Sequence, residues 1–175
     1  PGSSSLNDNT WTVVGGGTDI QGTSDQFQFA SEPMAGDGTL SADVASQTNT
    51  STWAKAGLML RATSNPGSPY YAVFITPGFG VDVQSRGTQG GGTSASHTGS
   101  GAVPIHLEIT RSGTTFSAYT SADGNTWTLV PGSAKTVTAL TGSLLAGMAV
   151  SAHSSSTTST ATFSGVTLSG GSGSG

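Results

Sequence analysis

The sequence predicts an all-β protein in which short strands form two antiparallel sheets packed face to face as a sandwich. Apolar residues alternate with polar ones in short segments from Phe27 to Leu168, the period of a strand with one buried face. Gly, Ser and Thr fill the stretches between these segments, as expected for a fold with many turns. We find no stretch of useful length with the apolar period of a helix.

The alternating segments are each expected to form a half-buried strand. Roughly a dozen such strands fit two sheets whose inner faces lie about 10 Å apart. In chain order the alternating residues are Phe27 and Phe29; Leu40, Ala42 and Val44; Tyr71, Val73 and Ile75; Val81 and Val83; Ile105, Leu107 and Ile109; Leu144, Ala146, Met148 and Val150; and Ala161, Phe163, Val166 and Leu168.

Turn residues mark two of the connections between strands. Pro77-Gly78 separates the strand that ends at Ile75 from the next one. Asp123-Gly124 is expected to close a hairpin between 116–119 and 127–130. Such a turn needs positive φ, which Asp-Gly adopts readily.

Two polar stretches are expected to be irregular. Residues 87–101 are almost all Gly, Ser, Thr and Gln around His97, and residues 151–160 form a polar run that holds His153. Loops of this length either carry function or connect strands at a solvated sheet edge. The sequence leaves both interpretations open.

The chain carries little charge. Charged residues make up 8% of the 175 residues, against roughly 25% in an average globular protein. The net charge of −4 and pI near 5.0 leave no basic stripe to neutralise phosphates, which excludes nucleic acid as a partner. Cysteine is absent, so disulfides and thiolate metal sites are excluded.

The length predicts one β-sandwich domain over 1–169, followed by a flexible Gly/Ser linker over 170–175. The start at Pro1 and the lack of a visible signal peptide indicate a processed or excised domain. A Ser/Thr-rich, Lys-poor composition is typical of exported proteins, so we expect an extracellular or cell-surface location. No apolar run approaches the roughly 18 residues of a membrane span.

The carboxylates do not predict an active site. A glycosidase needs two acids about 5–9.5 Å apart across the scissile bond. The only glutamates, Glu32 and Glu108, lie on different predicted strands, and no Glu-x-Asp-x-x-Glu pattern occurs. The nucleophile motif Gly-x-Ser-x-Gly in a strand-to-helix setting is missing, and the histidines lack metal-ligand spacing. We therefore expect a non-enzyme.

A calcium site is one hypothesis for the aspartates in the first quarter of the chain. Hard cations take oxygen ligands from carboxylates and carbonyls, which Asp19, Asp25 and Asp37 would supply from glycine-rich surroundings. The alternative is structural. Gly-Asp-Gly at 36–38 is an ordinary tight turn, and Asp25 would bond backbone N–H groups of its own loop.

Three aromatic residues are candidates for a sugar platform. Trp53 follows a polar loop and precedes a core strand, Tyr70 adjoins a proline-rich loop, and Phe79 lies on a turn between two glycines. An apolar side chain exposed on a turn indicates contact with a partner. The alternative for Trp53 is that it covers one end of the core.

A polar row accompanies these aromatics. Asp82, Gln84 and Arg86 are spaced by two and therefore share one face of their strand. Carboxylate, amide and guanidinium groups in a row are suited to sugar hydroxyls, and they are equally suited to an ordinary solvated face.

Several motifs, in this order, resemble a known family. They are Gly-Gly-Gly-Thr-Asp-Ile (15–20), Ser-Asp-Gln-Phe-Gln-Phe (24–29), Gly-Asp-Gly-Thr-Leu (36–40), Trp-Ala-Lys-Ala-Gly-Leu-Met-Leu-Arg (53–61), Thr-Pro-Gly-Phe-Gly (76–80) and Asp-Gly-Asn-Thr-Trp-Thr (123–128). The chain resembles the concanavalin A-like β-sandwich modules related to "regulation of enolase protein 1" domains. The resemblance implies a jelly-roll sandwich of lectin-like topology and an accessory role beside other domains of larger extracellular proteins. It supplies no catalytic residue.

These observations support one leading hypothesis and two alternatives. The leading one is a non-catalytic carbohydrate-binding module of a secreted multidomain protein, with a polysaccharide or glycan as partner. The second is a structural or adhesive β-sandwich repeat of a cell-surface protein or filament. The third is a glycoside hydrolase, which would require two converging carboxylates in a cleft.

Overall fold

The computed structural model describes residues 2–169, and the predicted linker 170–175 lies outside them. The described residues form strands and no helix, which confirms the predicted all-β class and leaves no helix long and apolar enough to cross a membrane. In chain order the strands are β1 Ser3–Asn7, β2 Thr10–Gly17, β3 Gln28–Met34, β4 Gly38–Gln47, β5 Lys55–Arg61, β6 Tyr70–Thr76, β7 Gly80–Arg86, β8 Thr93–His97, β9 Ile105–Ser112, β10 Thr115–Ser121, β11 Thr128–Leu129, β12 Lys135–Thr136, β13 Leu144–Ser151 and β14 Ser154–Ser169.

The strands form two antiparallel sheets, as predicted for a jelly-roll sandwich. The first sheet has eight strands in the order β1-β2-β14-β4-β9-β10-β11, with β12 paired to β10. The second has six strands in the order β3-β13-β5-β6-β7-β8. Within residues 2–169, five of the twelve strand pairings join strands that are distant along the chain, namely β2–β14, β4–β14, β4–β9, β3–β13 and β5–β13.

Both stretches expected to be irregular contain strand. Within 87–101, β8 pairs with β7 and forms an edge of the second sheet. Within 151–160, β14 starts at Ser154 and pairs with β2 across a bulge between Ser154 and Ser159. The expectation was wrong because edge pairing is made by backbone groups and needs no apolar alternation in the side chains.

One apolar core fills the space between the sheets. Large buried side chains from the first sheet, such as Phe116 and Phe163, meet Leu58, Tyr71 and Val73 of the second. On β9, Leu107 and Ile109 point into this core while the residues between them are half-buried on the outer face. The period-two pattern of the sequence thus gives the inner face of the first sheet correctly.

The second sheet is buried on both faces. Every residue of β5, β6 and β7 is buried, including those that face away from the core. The chain between β2 and β3, residues 18–27, lies over this outer face, and we call it the covering segment. Its Ile20 packs with Met59, Tyr70 and Phe74 in a second apolar cluster.

The residue just before the covering segment, Gly17, is at a position that only glycine can occupy. Gly17 has a φ of 98°, which L-residues rarely adopt. A Cβ there would also lie 2.2 Å from the carbonyl oxygen of Gln26. Gly17 therefore lets the chain turn away from β2 and pack closely against the backbone of Gln26, near the end of the covering segment.

Side chains of the second sheet supply hydrogen-bond donors to the covering segment. Gln84 donates to the carbonyl oxygen of Ile20 at 2.7 Å, and Arg86 donates to that of Gly22 at 2.9 Å. Buried carbonyls need such partners. Gln84 and Arg86 of β7 are thus explained by the backbone that lies on them.

One buried carboxylate connects the covering segment to two strands. Asp25 accepts from Arg61 of β5 at 2.6 Å and from Arg86 of β7 at 2.7 Å through each of two nitrogens. The three side chains are 0–1% exposed. Arg61 also donates to the carbonyl oxygens of Asn65 and Pro66, so the charges are enclosed by hydrogen bonds.

Replacing Asp25 by Asn is expected to lower the free energy of unfolding by about 3–5 kcal/mol, because two buried guanidinium groups lose their only anion. Urea unfolding followed by tryptophan fluorescence measures the change. Glu32→Gln is the control, since Glu32 is an exposed carboxylate on β3, and we expect it to change stability by less than about 0.5 kcal/mol. A loss below about 1 kcal/mol for Asp25→Asn would contradict the structural role of the cluster.

Candidate functional site

Polar and aromatic side chains gather at one end of the second sheet. Antiparallel pairing brings the start of β5 beside the end of β13, and the start of β7 beside the ends of β6 and β8. The strand ends and connections at this end, together with the covering segment, contribute a group of side chains that we call the loop-end cluster. Its members are Asp19, Ser51, Trp53, Lys55, Phe79, Asp82, His97 and His153.

Two aromatic rings form the outer part of the loop-end cluster. Trp53 and Phe79 stack with centroids 3.9 Å apart and planes 17° apart, and both are half-buried. The exposed His97 meets Trp53 edge-on at 5.2 Å. The turn that carries Phe79 is held by Thr76, whose hydroxyl oxygen accepts a hydrogen bond from the backbone N–H of Phe79 at 3.0 Å. The pair therefore presents fixed ring surface to solvent.

A chain of polar contacts runs beside the rings. The buried Lys55 ammonium donates to Oδ1 of Asp19, and Nε2 of His153 lies 3.4 Å from Oδ2 of the same carboxylate. Nδ1 of His153 lies 3.2 Å from Oγ of Ser51, which accepts the N–H of Trp53. His153 has a positive φ of 55°, so the backbone is strained where its ring is placed.

Asp82 lies at the inner end of the cluster and lacks a partner. The residue is 2% exposed, and its Oδ1 is buried without a hydrogen bond. Burial raises the pKa of Asp82 to about 6, although the charges of Lys55 and His97 oppose the shift. A buried acceptor without a donor costs stability and is typical of functional positions.

Half of the predicted sugar-site residues lie in this cluster and half do not. The fold brings Trp53, Phe79 and Asp82 together at one end of the second sheet. Tyr70, Gln84 and Arg86 lie beneath the covering segment instead. Tyr70 is fully buried: its hydroxyl accepts from Gln84 at 2.9 Å, and burial raises its pKa to about 12.

The three aspartates of the calcium hypothesis do not share one site. Asp25 holds two guanidinium groups, whose positive charge opposes a cation, and Asp19 holds Lys55. Asp37 accepts the N–H of Gly113 at 2.8 Å in a separate turn. Within residues 2–169 no group of three or more acidic, His or Cys side chains is placed to hold a metal ion.

Sequence reasoning missed Ser51, Lys55, His97 and His153 as members of the cluster. One clue was present, because Lys55 opens an otherwise apolar strand that ends in Arg61. Buried charges of this kind need partners, which points to anions elsewhere in the chain. The contacts of Ser51 and His153 depend on sequence separations of about a hundred residues and leave no local pattern.

Replacing Asp82 by Asn is expected to change how stability depends on pH. The pKa of Asp82 is raised in the folded state, so the fold favours the protonated carboxyl group. The stability that this group contributes to the fold is fully present below about pH 4 and is lost as the pH rises through about 6. Asp82→Asn removes the ionising group and should be more stable than the wild type by about 3 kcal/mol near pH 8, with no difference near pH 4. Urea titrations at several pH values measure this, and parallel stability curves for the two proteins would contradict it.

Comparison with known proteins gives likenesses of structure only. No family model matches the sequence, and no curated protein matches it. A functionally unknown protein from Saccharomyces cerevisiae superposes with a TM-score of 0.74 at 16% identity, covering 95% of this chain and 90% of that one.

Two bacterial structures share the same arrangement. The carbohydrate-binding module CBM66 from Bacillus subtilis has a TM-score of 0.63 at 17% identity, over 96% of this chain and 91% of its own. A GH43 protein from Bacillus licheniformis has a TM-score of 0.64 at 12% identity, over 92% of this chain and 36% of its own. At these identities the likeness establishes the fold, a β-sandwich of the kind found in carbohydrate-binding modules and compatible with a concanavalin A-like module.

Proposed function

We propose that the protein is a non-catalytic carbohydrate-binding module, that it belongs to the modules related to "regulation of enolase protein 1" domains, and that it serves a larger extracellular protein. The observation that carries the binding proposal is the stacked Trp53–Phe79 pair, half-exposed beside hydrogen-bonding side chains. Sugar rings place their apolar C–H faces on aromatic rings and their hydroxyl groups on polar neighbours.

The polar neighbours of the platform suit hydroxyl groups. The exposed His97 imidazole stands edge-on to Trp53, and the side chain of His153 is 35% exposed. Asp19 keeps a 19% exposed carboxylate next to His153. His97 contacts both stacked rings, and His153 and Asp19 are connected to Trp53 through Ser51, so donors and acceptors accompany the aromatic surface, as expected of an oriented sugar site.

The distribution of charge favours a neutral glycan. Of the five Lys and Arg residues, Lys55, Arg61, Arg86 and Arg111 are buried and Lys135 is exposed. The surface therefore offers almost no cation to a polyanion such as a polyuronate or nucleic acid. The Gly-, Ser- and Thr-rich surface is suited to a neutral polymer of hydroxyl groups.

The similar structures support this proposal at the level of fold. One of them is a carbohydrate-binding module over nearly its whole length, and the GH43 protein contains the same sandwich in about a third of its chain. Because these likenesses extend to the fold and no further, the choice of ligand rests on the residues of the loop-end cluster.

Trp53→Ala is expected to weaken binding of the recognised polysaccharide at least thirtyfold, about 2 kcal/mol, because it removes half of the platform. Pull-down with insoluble cellulose, xylan, mannan and chitin identifies the polymer, and depletion isotherms give the affinity. The control is Leu6→Ala, since Leu6 is 54% exposed on β1 of the other sheet and should have no effect. We expect a chelator to leave binding unchanged, because the aspartates of the calcium hypothesis hold cationic side chains or a backbone N–H.

Three results would contradict this proposal in different ways. Equal binding by wild type and Trp53→Ala would remove the platform from the site. Release of reducing ends from any of the polymers would favour the glycoside hydrolase, with Asp19 and Asp82 as the acids to replace next. Failure of a folded, monodisperse protein to bind any glycan on an array would favour the structural or adhesive repeat.

A further inference from the structure

We propose that the outer face of the first sheet carries a second saccharide site, built around Trp127 and Asp43 and separate from the loop-end cluster. A groove of about 410 Å³ opens on this face, and its lining includes Asn9, Asp43, His106, Trp127 and Ser164. The loop-end cluster lies at one end of the second sheet, so the two sites would be separate.

Three neighbouring strands form the floor of this groove. In the register of the first sheet, Asp43 of β4 lies opposite Ser164 of β14 on one side and opposite His106 of β9 on the other. Ser164, Asp43 and His106 therefore form a polar row that crosses the strands. The rigid ladder of the sheet fixes the spacing of these three side chains.

The hairpin between β10 and β11 forms one wall. Trp127 follows its turn and meets His106 edge-on at 6.3 Å, with planes 85° apart. Gly124 has a φ of 79°, and a Cβ there would lie 3.0 Å from the His106 ring, so the turn packs directly on the imidazole. This packing holds the half-buried indole at the edge of the polar row.

An unpaired acceptor in the floor points to a ligand with donor groups. Oδ1 of Asp43 is buried without a hydrogen bond, and its Oδ2 receives only a long contact of 3.4 Å from the Ser164 hydroxyl. No backbone N–H or other side chain donates to Oδ1. Rotation of the carboxylate about its Cβ–Cγ bond would present this oxygen to the groove, where a ligand hydroxyl group would supply the donor and recover the cost of the unpaired oxygen.

The charges of the groove select the class of ligand. Hydrogen bonds from the backbone N–H groups of Thr126 and Asn125 lower the pKa of Asp123 to about 2, so this rim carboxylate stays ionised. With Asp43 it makes the groove acidic, which disfavours polyuronates. Together with the indole and the unpaired acceptor, this favours a neutral hexose or pentose oligomer.

Two separate sites would give the domain a property that one site does not. A module that holds two segments of polymer gains avidity on an insoluble surface or joins neighbouring chains, without any tighter single contact. The second site is independent of the first, because it shares no residue with the loop-end cluster.

NMR of the three tryptophan indole N–H groups tests this site directly. The peaks of Trp11, Trp53 and Trp127 are assigned with single Trp→Phe variants, and the protein is titrated with cellohexaose, xylohexaose, laminarihexaose and mannohexaose. We expect at least one of these neutral oligomers to shift the Trp127 peak to saturation, also in Trp53→Ala. An alginate hexasaccharide should leave the Trp127 peak unmoved.

Two variants place the ligand on the polar row. Asp43→Ala should weaken the Trp127 titration at least tenfold, and Asp43→Asn, which keeps an acceptor oxygen and the shape, should weaken it less. Glu108→Gln is the matched control, because Glu108 lies two residues from His106 on the same strand and does not line the groove. A stationary Trp127 peak with all four oligomers overturns the second site, and so does a titration that Asp43→Ala leaves unchanged; the Trp53 peak reports separately on the first site.

Discussion

The arrangement of the whole molecule depends on the carboxylate of Asp25, held between the guanidinium groups of Arg61 and Arg86. This contact fixes the covering segment on the outer face of the second sheet. The sheet is consequently buried on both sides, and the polar row of β7 becomes part of the interior. Surfaces for a ligand are then left at the end of that sheet and on the opposite sheet.

The interior ion pairs and hydrogen bonds also determine which side chains are left on the surface. Four of the five basic side chains are used inside, on Asp25, on Asp19 or on backbone carbonyls. What remains outside is mainly Ser, Thr, Gly and a few carboxylates, with Lys135 and the three half-exposed tryptophans Trp11, Trp53 and Trp127. A surface of this kind offers ring stacking and hydrogen bonds rather than charge, which is the basis of the proposal that it binds a neutral polysaccharide.

The strands of the inner core could be predicted from sequence because their pattern is local. Alternation at Leu107 and Ile109, or turn residues at Pro77-Gly78, needs only a few neighbouring residues to be recognised. The strands β8 and the start of β14 were missed because their Ser and Thr side chains do not alternate with apolar ones. β8 pairs with the preceding strand β7, whereas the start of β14 pairs with β2, which is far away in sequence.

The position of the covering segment could not be predicted for a different reason. A polar row such as Gln84 and Arg86 has the same pattern whether it faces solvent, a sugar or a buried loop. Only the long-range pairing of Asp25 with Arg61 and Arg86 decides between these. Trp53, Phe79 and Asp82 lie beyond the covering segment and come together at one end of the sheet, whereas Tyr70, Gln84 and Arg86 lie beneath it.

Backbone hydrogen exchange of the covering segment is the most direct test of this account. The N–H of Asp25 donates to Pro66 at 2.9 Å and that of Gln26 to Asp19 at 2.8 Å. If the segment is a fixed layer, these two amides exchange about as slowly as those of β5 and β6. Exchange as fast as in an exposed loop would show that the segment opens, which would return Gln84 and Arg86 to an accessible face and contradict the confinement of ligands to the two surfaces described.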